Sequence, residues 1–483
     1  MVDIPSLPAV QSQYTDDGGR PTPPFADFLR RLINWAEDNT GGGGGGGGDF
    51  PILNVQDFGA TGDGVTDDTV AINAAEAARA ATGVWLYFPG GTYVVSSLSA
   101  TTPRWFGDGP EATVIQIASS SSAANGVTVG APTGATQYTA PSIEGMTINA
   151  NGKCSGAALL IRNITRGTFA NLIIKFSAGH GLRSDTATSE GSGNSYLSFN
   201  FYYHIRSENN ALDGFHWTGE HFSDFQSLFS LSNRDGFVWE NFTPDFSSVG
   251  VGNEECTGTA MQASNCTRDG FRFDSAEKHI FGELISTGSL RYGISFWFDT
   301  NAAGTLGNGV KVSNFSSRND RRGGFYVDPN DGGLFGATFG EVALVGYSSD
   351  PGTVGVVLAA AQNVKFGNLM IIGWPGIGMS IQQGSPKGGA VAQSNDIQIG
   401  NLSITGCGAV GQPSTGLLIQ DSTTVMQISN LRLVNLYTTG SEYEIICGST
   451  AGLLYVGTAI VSPATGGNEE QFPGRITYAL KNF

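Results

Sequence analysis

The sequence predicts an all-β solenoid, in which one small unit repeats along an axis. At 483 residues the chain is too long for a single ordinary hydrophobic core. Its 70 glycines, together with 40% hydrophobic and 10% aromatic residues, indicate short strands separated by many tight turns. Segments of glycine followed by aromatic residues also recur at intervals expected for solenoid rungs. These observations exclude a helix-dominated fold and wholesale disorder.

The recurring segments each begin at a glycine. Gly214 to Gly236 is 22 residues and Gly270 to Gly293 is 23, as expected for a bare rung. Gly236 to Gly270 is 34 residues and Gly293 to Gly324 is 31, which fits the same rung carrying about ten inserted residues. The solenoid is expected to run from about residue 52 to beyond residue 418. Weaker rungs are predicted near Gly181, Gly355, Gly378 and Gly416.

The first 40 residues are predicted to form a separate segment with one amphipathic helix. Apolar residues from Phe25 to Ala36 follow a helical spacing after two prolines, and the helix is expected to end near Asn39. It could pack on its own chain or serve for docking or self-association. Residues 41–48 are eight consecutive glycines, which predict a flexible linker and a domain boundary.

The targeting signals and cysteines predict the compartment of assembly. The N-terminus shows neither a signal peptide nor a membrane span. Five cysteines without metal-ligand spacing are interpreted as buried thiols. Assembly in a reducing cytoplasm is therefore expected.

Three sequence blocks follow the linker in order. An alanine-rich helix is predicted between the first and the second block, from Val70 to Ala81, and Asp67 or Asp68 is expected to cap it. The blocks are Ile52–Gly64, Val84–Val95 and Phe106–Ile117. Together they resemble the start of the pectate-lyase-like superfamily of parallel β-helix proteins, as found in many bacteriophage tailspikes.

This resemblance implies a right-handed parallel β-helix. Residues 49–117 would then form its start and cap, 118–440 its rungs with inserted loops, and 441–483 a closing segment. The segment from Arg20 to Phe25 is similar to short attachment segments of phage tail proteins. The resemblance thus implies a homotrimer joined to a phage tail or baseplate protein through residues 1–40.

The charge balance restricts the possible ligands. A formal net charge of -17, from 42 acidic and 25 basic side chains, would repel nucleic acid and anionic membranes. Neither nucleic-acid binding nor membrane insertion is expected. The polar, weakly charged surface suits hydrogen bonding to sugar hydroxyls, and the resemblance to tailspikes implies that the ligand is a bacterial surface polysaccharide.

Strand alternation sorts the side chains of the repeats into two sets. The first and third positions after each glycine are apolar and should stack inside the coil: Phe215/Trp217, Phe237/Trp239, Phe271/Phe273, Ile294/Phe296 and Phe325/Val327. The second and fourth positions should form one exposed strip: His216/Thr218, Val238/Glu240, Arg272/Asp274, Ser295/Trp297 and Tyr326/Asp328.

Glu240 and Asp274 are the predicted catalytic pair. Adjacent rungs lie about 4.8 Å apart, and two carboxyl groups on neighbouring rungs can supply the acid and the base or nucleophile of glycoside hydrolysis. Arg272 is expected to keep its neighbour ionised. No metal and no cofactor is expected. The predicted substrate contacts are Arg272, Trp297, Tyr326, His216 and Asp328.

Other interpretations of these residues stay open. Each acid taken singly could be a turn cap or a solvated surface group. Histidines 216, 221 and 279 could be ordinary polar residues. The rival acids are Asp224, Asp245, Glu254, Glu255 and Asp299.

The predicted function is that of a tailspike, located in the virion tail and acting at the bacterial surface, that binds and depolymerises a polysaccharide by hydrolysis. A lyase is a second possibility, although lyases usually neutralise a uronate with calcium or basic residues and the strip appears acidic in sequence. A non-catalytic adhesin or structural appendage is the third, because fold does not determine function.

Overall fold

The computed structural model describes residues 52–130, 137–185, 197–240, 255–274, 278–297, 307–328, 334–346, 350, 352–384, 394–408, 415–420, 425–434, 443–447, 453–462, 468–471 and 476–482. The predicted attachment segment and polyglycine linker lie outside this part of the chain. Within it, the architecture is a right-handed parallel β-helix, as predicted.

The solenoid begins with a cap built around one α-helix, α1 (Thr69–Thr82). Ile72 and Ala75 of α1 are fully buried against the first rung, and the helix ends at Gly83, whose φ of 75° suits glycine. A 3-10 helix spans Val55–Phe58. The strands of this region are β1 (Ile52–Asn54), β2 (Asp63–Asp67), β3 (Trp85–Phe88), β4 (Gly91–Val95), β5 (Leu98–Ala100), β6 (Arg104–Gly107) and β7 (Thr113–Ile117).

The two predicted capping aspartates have different tasks. Asp67 accepts a hydrogen bond from the backbone N–H of Thr69, the first residue of α1 (2.9 Å), whereas the N-cap residue Asp68 makes no side-chain cap bond. Asp68 instead accepts from the backbone N–H groups of Thr61 (2.7 Å) and Gly62 (3.2 Å). These aspartates therefore hold the start of the solenoid together.

The central rungs contain β8 to β27. They are β8 (Asn125–Gly130), β9 (Tyr138–Thr139), β10 (Ser142–Asn149), β11 (Ala157–Arg162), β12 (Ile164–Thr165), β13 (Thr168–Lys175), β14 (His180–Asp185), β15 (Leu197–Ser198), β16 (Phe201–Glu208), β17 (Phe215–Thr218), β18 (Glu220–His221), β19 (Asp224–Leu231), β20 (Phe237–Glu240), β21 (Thr257–Ser264), β22 (Phe271–Phe273), β23 (Ile280–Thr287), β24 (Tyr292–Phe296), β25 (Gly307–Asn308), β26 (Lys311–Arg318) and β27 (Gly323–Val327).

The same ladder continues towards the C-terminus, and its strands extend through the predicted closing segment. They are β28 (Leu334–Phe335), β29 (Thr338–Val345), β30 (Val354–Ala359), β31 (Ala361–Ile372), β32 (Ile377–Gln382), β33 (Asn395–Thr405), β34 (Leu417–Ile419), β35 (Val425–Val434), β36 (Tyr443–Cys447), β37 (Leu453–Ser462), β38 (Asn468–Gln471) and β39 (Ile476–Asn482).

The strands form three parallel sheets that run along the axis. Sheet A holds 21 described strands, sheet B holds 14, and sheet C is the short ladder of β9, β12, β15 and β18. Sheet B contains β5, β8, β11, β14, β17, β20, β22, β24, β27, β30, β32, β34, β36 and β38. The predicted weak rungs near residues 181, 355, 378 and 416 all fall in or beside sheet B strands.

The inward side chains of sheet B stack rung on rung, as the alternation predicted. Ring centroids lie 4.9 Å apart for Phe215 and Phe237, 4.9 Å for Phe237 and Phe271, and 4.6 Å for Trp239 and Phe273. All ten predicted interior residues are fully buried. Because identical positions recur on successive rungs, aromatic faces meet at the rung spacing and supply much of the core.

A column of left-handed residues turns the chain from sheet A towards sheet B. Asn209, Ser232, Asn265 and Asn319 have φ between 53° and 60°, and Gly288 has φ 72°. Asparagine and glycine tolerate this region better than other residues. This preference explains why asparagine and glycine recur at this corner.

Polar residues follow that corner and point into the interior. Asn233 donates through Nδ2 to Ser230 Oγ (2.8 Å), and Asp320 accepts from Ser317 Oγ (2.6 Å) in the same i,i+3 arrangement. Asp320 also accepts from the backbone N–H of Ser289 (2.7 Å). Burial nevertheless raises the pKa of Asp320 to about 6.

Replacing Asp320 with Asn is expected to stabilise the protein at neutral pH. The carboxyl pKa is higher in the folded than in the unfolded protein, so its contribution to stability is present below about pH 4, is lost as pH rises to about 6, and changes little above that. A shift of about two units corresponds to at most roughly 3 kcal/mol. Denaturant unfolding at pH 4 and pH 8 measures it: the loss of stability between these pH values should be smaller in Asp320→Asn than in the wild type, whereas the exposed Asp57→Asn should keep the wild-type loss. An equal pH dependence in wild type and Asp320→Asn contradicts the prediction.

Candidate functional site

The outer face of sheet B carries three columns of side chains across β14 to β27, here called the outer strip. The first column consists of the residues that directly precede a repeat glycine: His180, Asp213, Asp235, Asp269 and Tyr292. The second is Arg183, His216, Val238, Arg272, Ser295 and Tyr326, and the third is Asp185, Thr218, Glu240, Asp274, Trp297 and Asp328.

The prediction that this strip is exposed was wrong for five of its ten predicted residues, which are buried, while the other five are partly exposed. His216 is 6% exposed, Val238 2%, Ser295 0% and Asp328 3%. Side chains on rungs about 4.8 Å apart shield one another from solvent. Arginines in the turns before the strands, Arg234, Arg268 and Arg291, also contact acids of the strip. Period-two alternation gives the direction of a side chain and says nothing about what covers it.

Glu240 and Asp274 lie on neighbouring rungs, as expected. Glu240 ends β20, and Asp274 directly follows β22, where its backbone N–H donates to the carbonyl of Trp239 (2.8 Å). The side chain of Glu240 is 46% exposed. The side chain of Asp274 is 12% exposed and accepts from Arg272 on both oxygens. The two predicted catalytic carboxyls therefore share a site but differ in environment.

This difference appears in their pKa values. A hydrogen bond from His216 lowers the pKa of Glu240. Burial raises the pKa of Asp274 to about 6, although the charge and hydrogen bonds of Arg272 oppose the rise. At mildly acidic pH, Asp274 can be protonated while Glu240 stays ionised.

His216 bridges two carboxylates. Its Nδ1 lies 2.9 Å from Asp213 Oδ2, and its Nε2 lies 2.9 Å from Glu240 Oε2. Burial by itself lowers the pKa of His216, but the two carboxylate contacts outweigh it and raise the pKa to about 9. Since ionised carboxylates only accept hydrogen bonds, His216 donates on both sides as an imidazolium.

A column of three buried acids was missed in the sequence. Asp213, Asp235 and Asp269 are all fully buried, and each precedes a repeat glycine, so they looked like part of the turn motif. Burial, together with the charges of Asp269 and Asp213, raises the pKa of Asp235 to about 7. For Asp235 and Asp269 the usable signal was the recurrence of Arg-Asp-Gly at residues 234–236 and 268–270, whereas Asp213 follows Leu212 and lacks it.

Arginines pair with these acids from the next rung. Arg234 lies 2.8 Å from Asp213, Arg268 lies 3.6 Å from Asp235, and Arg291 lies 3.2 Å from Asp269. The strip is therefore charge-balanced rather than acidic. This corrects the premise on which the sequence argued against a lyase.

An aromatic and cationic cluster adjoins the carboxyl pair. Tyr292 and Tyr326 are stacked with centroids 4.0 Å apart, and Trp297 lies 5.7 Å from Tyr326. The guanidinium of Arg291 lies 4.8 Å from the Trp297 ring. Trp297 Nε1 is buried without a hydrogen-bond partner. The two aromatics predicted to contact sugars are thus brought together, partly buried by each other and by arginine.

The remaining candidates lie elsewhere. Asp224 begins β19 in sheet A and accepts from Thr257 Oγ1 (2.9 Å), so it does not face the outer strip. Glu255 pairs with Lys278 (3.2 Å) on another turn. His221 lies in sheet C, and His279 is fully buried beside Trp239. Asp245, Glu254 and Asp299 lie outside the described residues.

Four of the five cysteines are buried and free, as expected: Cys154, Cys256, Cys266 and Cys407. The side chain of Cys447 lies outside the described part. In the residues that the structure describes, no helix combines the length and apolar composition needed to cross a membrane.

Comparison with known proteins agrees with this architecture. Residues 52–272 match the family model for rhamnogalacturonase A/epimerase, pectate lyase-like proteins. Over 44 residues, 9% of this chain, it is 64% identical to the mannuronan C5-epimerases AlgE1 and AlgE5 of Azotobacter vinelandii. The match covers only 3% and 4% of the length of those relatives.

Two solved structures share the fold. The A-module of the Azotobacter vinelandii mannuronan C-5 epimerase AlgE4 aligns with a TM-score of 0.52 at 17% identity, covering 86% of this chain and 100% of that chain. The N-terminal fragment of bacteriophage Phi29 gene product 12 aligns with a TM-score of 0.54 at 14% identity, covering 95% and 94%. At such identities the likeness concerns the fold alone.

The described residues define the chain as a right-handed parallel β-helix protein. Over residues 52–272 its sequence relation is to the rhamnogalacturonase A/epimerase group.

Proposed function

We propose that the chain is a phage tailspike protein that binds a bacterial surface polysaccharide and cleaves it by glycoside hydrolysis on the outer strip. The observation that carries the proposal is the pairing of Glu240 and Asp274 on adjacent rungs, one half-exposed and one buried with a pKa near 6. Glycoside hydrolysis needs one protonated carboxylic acid and one carboxylate flanking the scissile bond.

In this proposal Asp274 is the general acid and Glu240 the nucleophile or water-activating base. Asp274 donates a proton to the leaving glycosidic oxygen, and Glu240 attacks the sugar or activates a water. Protonation of Asp274 requires Arg272 to release one oxygen. Asp235 Oδ2 lies 3.9 Å from Arg272 Nη1 and offers the guanidinium another partner.

The aromatic cluster supplies the binding surface in this proposal. Faces of Trp297 and Tyr326 suit the apolar faces of sugar rings. Asp328, although buried, follows Tyr326 on the same rung and would orient it. His216 holds Glu240 in place through its 2.9 Å contact.

The phage context is part of the proposal. It is supported by the resemblance to tailspikes and by the fold shared with bacteriophage Phi29 gene product 12. A homotrimer, attachment to a tail or baseplate protein through residues 1–40, and a location in the virion tail follow from the same proposal. The fold shared with an enzyme of mannuronan supports action on a polysaccharide.

A non-catalytic adhesin is the second candidate. Its support is the saturation of the outer strip by its own contacts, because Arg272 engages both oxygens of Asp274 and His216 engages Glu240. Such a strip could bind a glycan without reacting with it. The arginines that pair with the buried acids, Arg234, Arg268 and Arg291, also support a uronate lyase as a further candidate, since basic residues can neutralise a uronate.

Incubation of the pure protein with capsules and lipopolysaccharides from a panel of bacterial strains tests the function. Hydrolysis is expected to release oligosaccharides with new reducing ends and no ultraviolet absorption from unsaturated sugars. Binding to cells with no change in polysaccharide size would support the adhesin instead, and an unsaturated product would support the lyase.

A further inference from the structure

Two histidines and an aspartate converge at one end of the outer strip. His180 begins β14, Asp213 precedes β17, and His216 lies within β17. Their potential ligand atoms all lie within 4.8 Å of one another. Asp213 Oδ2 is 3.2 Å from His180 Nδ1 and 2.9 Å from His216 Nδ1.

The Nδ1 atom of His180 makes no hydrogen bond in this cluster. Its side chain is only 10% exposed, and its Nδ1 is buried without a hydrogen-bond partner despite the short distance to Asp213. A buried imidazole nitrogen that faces a carboxylate without bonding to it costs free energy in the metal-free protein. A cation between the two groups would satisfy both.

Neighbouring residues orient two of these side chains, His216 and Asp213, in the way that residues around metal ligands commonly do. His216 contacts Glu240 through the ring nitrogen opposite Asp213. Arg234 donates through Nε to Asp213 Oδ1 and through Nη2 to Asp213 Oδ2, both at 3.0 Å, so Oδ2 would keep this bond beside a metal ion. Histidine ligands of metals commonly donate their second N–H to a carboxylate, which fixes the tautomer and ring orientation. Glu240 fills that position here.

We propose that His180 Nδ1, Asp213 Oδ2 and His216 Nδ1 bind one divalent transition-metal ion. Two imidazoles and one carboxylate suit zinc and similar first-row metals, with the remaining positions open to water or another oxygen ligand. The expectation from sequence that the chain needs no metal is replaced by this proposal. It does not rest on the proposed hydrolysis.

Binding has a simple proton balance. In the metal-free state His216 donates from Nδ1 to Asp213 and from Nε2 to Glu240. The metal displaces the Nδ1 proton, which passes to solvent, while the Nε2 proton stays on its bond to Glu240. The ligand contact of Asp213 changes from a hydrogen bond to a metal–oxygen bond, and no oxidant or further reactant is required.

The alternative is a purely electrostatic role, in which the His216 imidazolium neutralises Asp213 and Glu240. In that case His180 has no part to play, and metal ions have no affinity for the cluster. The two possibilities differ in how the protein responds to loss of His180.

Calorimetric titration of untagged, chelator-treated full-length protein with Zn²⁺ and with Co²⁺ tests the proposal. One ion per chain is expected, with cobalt giving the visible absorption of a nitrogen- and oxygen-ligated site. His180→Ala should weaken binding roughly 100-fold or more, because it removes a ligand while leaving the contacts of His216 with Asp213 and Glu240 in place. Elemental analysis after gel filtration gives the stoichiometry independently.

The matched control is His204→Asn, which removes an exposed imidazole from sheet A at a left-handed position, φ 50°, that asparagine tolerates. It should leave metal affinity unchanged. Absence of stoichiometric binding overturns the proposal, as does equal affinity in wild type and His180→Ala. Equal losses in His180→Ala and His204→Asn would also overturn it. Circular dichroism of each variant identifies any loss of fold, and Asp213→Asn then repeats the test at a second ligand.

Discussion

Glu240→Gln is expected to reduce polysaccharide cleavage by roughly 100- to 10,000-fold, the range for loss of one acid–base group, while glycan binding to cells persists. The amide cannot act as a nucleophile or base, but it keeps the size of the side chain and can still accept a hydrogen bond from His216. Asp274→Asn should have a similar effect, because the leaving oxygen loses its proton donor. Initial rates of reducing-end formation measure both.

Glu341→Gln is the control for this series. Glu341 is an exposed acid on sheet A, and its contact with Asn368 (3.4 Å) can survive in the amide. Its rates should match those of the wild type. Full activity in a Glu240→Gln, Asp274→Asn double variant would remove this pair from the proposal and direct attention to the buried acids of the outer strip.

The same assignment predicts the pH dependence of cleavage. Because Asp274 must be protonated to donate and its pKa is about 6, kcat/KM should fall about tenfold per pH unit well above 6. Rates measured from pH 5 to pH 9 on one polysaccharide give the profile. A rate that stays level across that range would show that Asp274 is not the acid.

Trp239→Ala is expected to lower the free energy of unfolding by about 3–5 kcal/mol, the range for deleting a buried aromatic side chain. Trp239 is fully buried and lies between Trp217 and Phe273, with centroids 4.9 and 4.6 Å away. Phe281 of sheet A closes on it from the other side at 5.2 Å. The cavity would therefore interrupt stacking in both directions along the axis.

Trp239→Phe separates cavity formation from loss of aromatic stacking. It preserves a ring between the same neighbours and removes an indole N–H that has no hydrogen-bond partner, so its cost should be clearly smaller. Denaturant unfolding followed by fluorescence and circular dichroism compares the two. Equal destabilisation by Ala and Phe would show that the rung has no requirement for stacking at this position.

The repeat made the interior of sheet B predictable. In Phe237-Val238-Trp239 the apolar first and third positions could face only the core, because exposing two large aromatics on every rung would be costly. The same alternation placed Glu240 and Asp274 on adjacent rungs. Arg272 could be assigned to their side of the sheet for the same reason, although its bonding to both oxygens of Asp274 could not.

The cluster of His180, Asp213 and His216 could not be found in this way. His180 and Asp213 are 33 positions apart and come together only because one full coil separates them. Asp213 also occupies a position that turn preference explains without any functional role. A search for repeated Arg-Asp-Gly would have found Asp235 and Asp269, but it would have found neither Asp213, which follows Leu212, nor its histidine partners.

By itself, the amino-acid sequence determined the solenoid architecture and the side of sheet B to which each repeat residue points. These properties depend on local turn preference and on period-two alternation, and both can be recognised from residues that are close together in the sequence. Only the tertiary structure decided which outward residues are buried, which acids pair with arginine and where His216 places its two nitrogens. Those properties depend on contacts between successive coils, and the length of each inserted loop decides which residues meet.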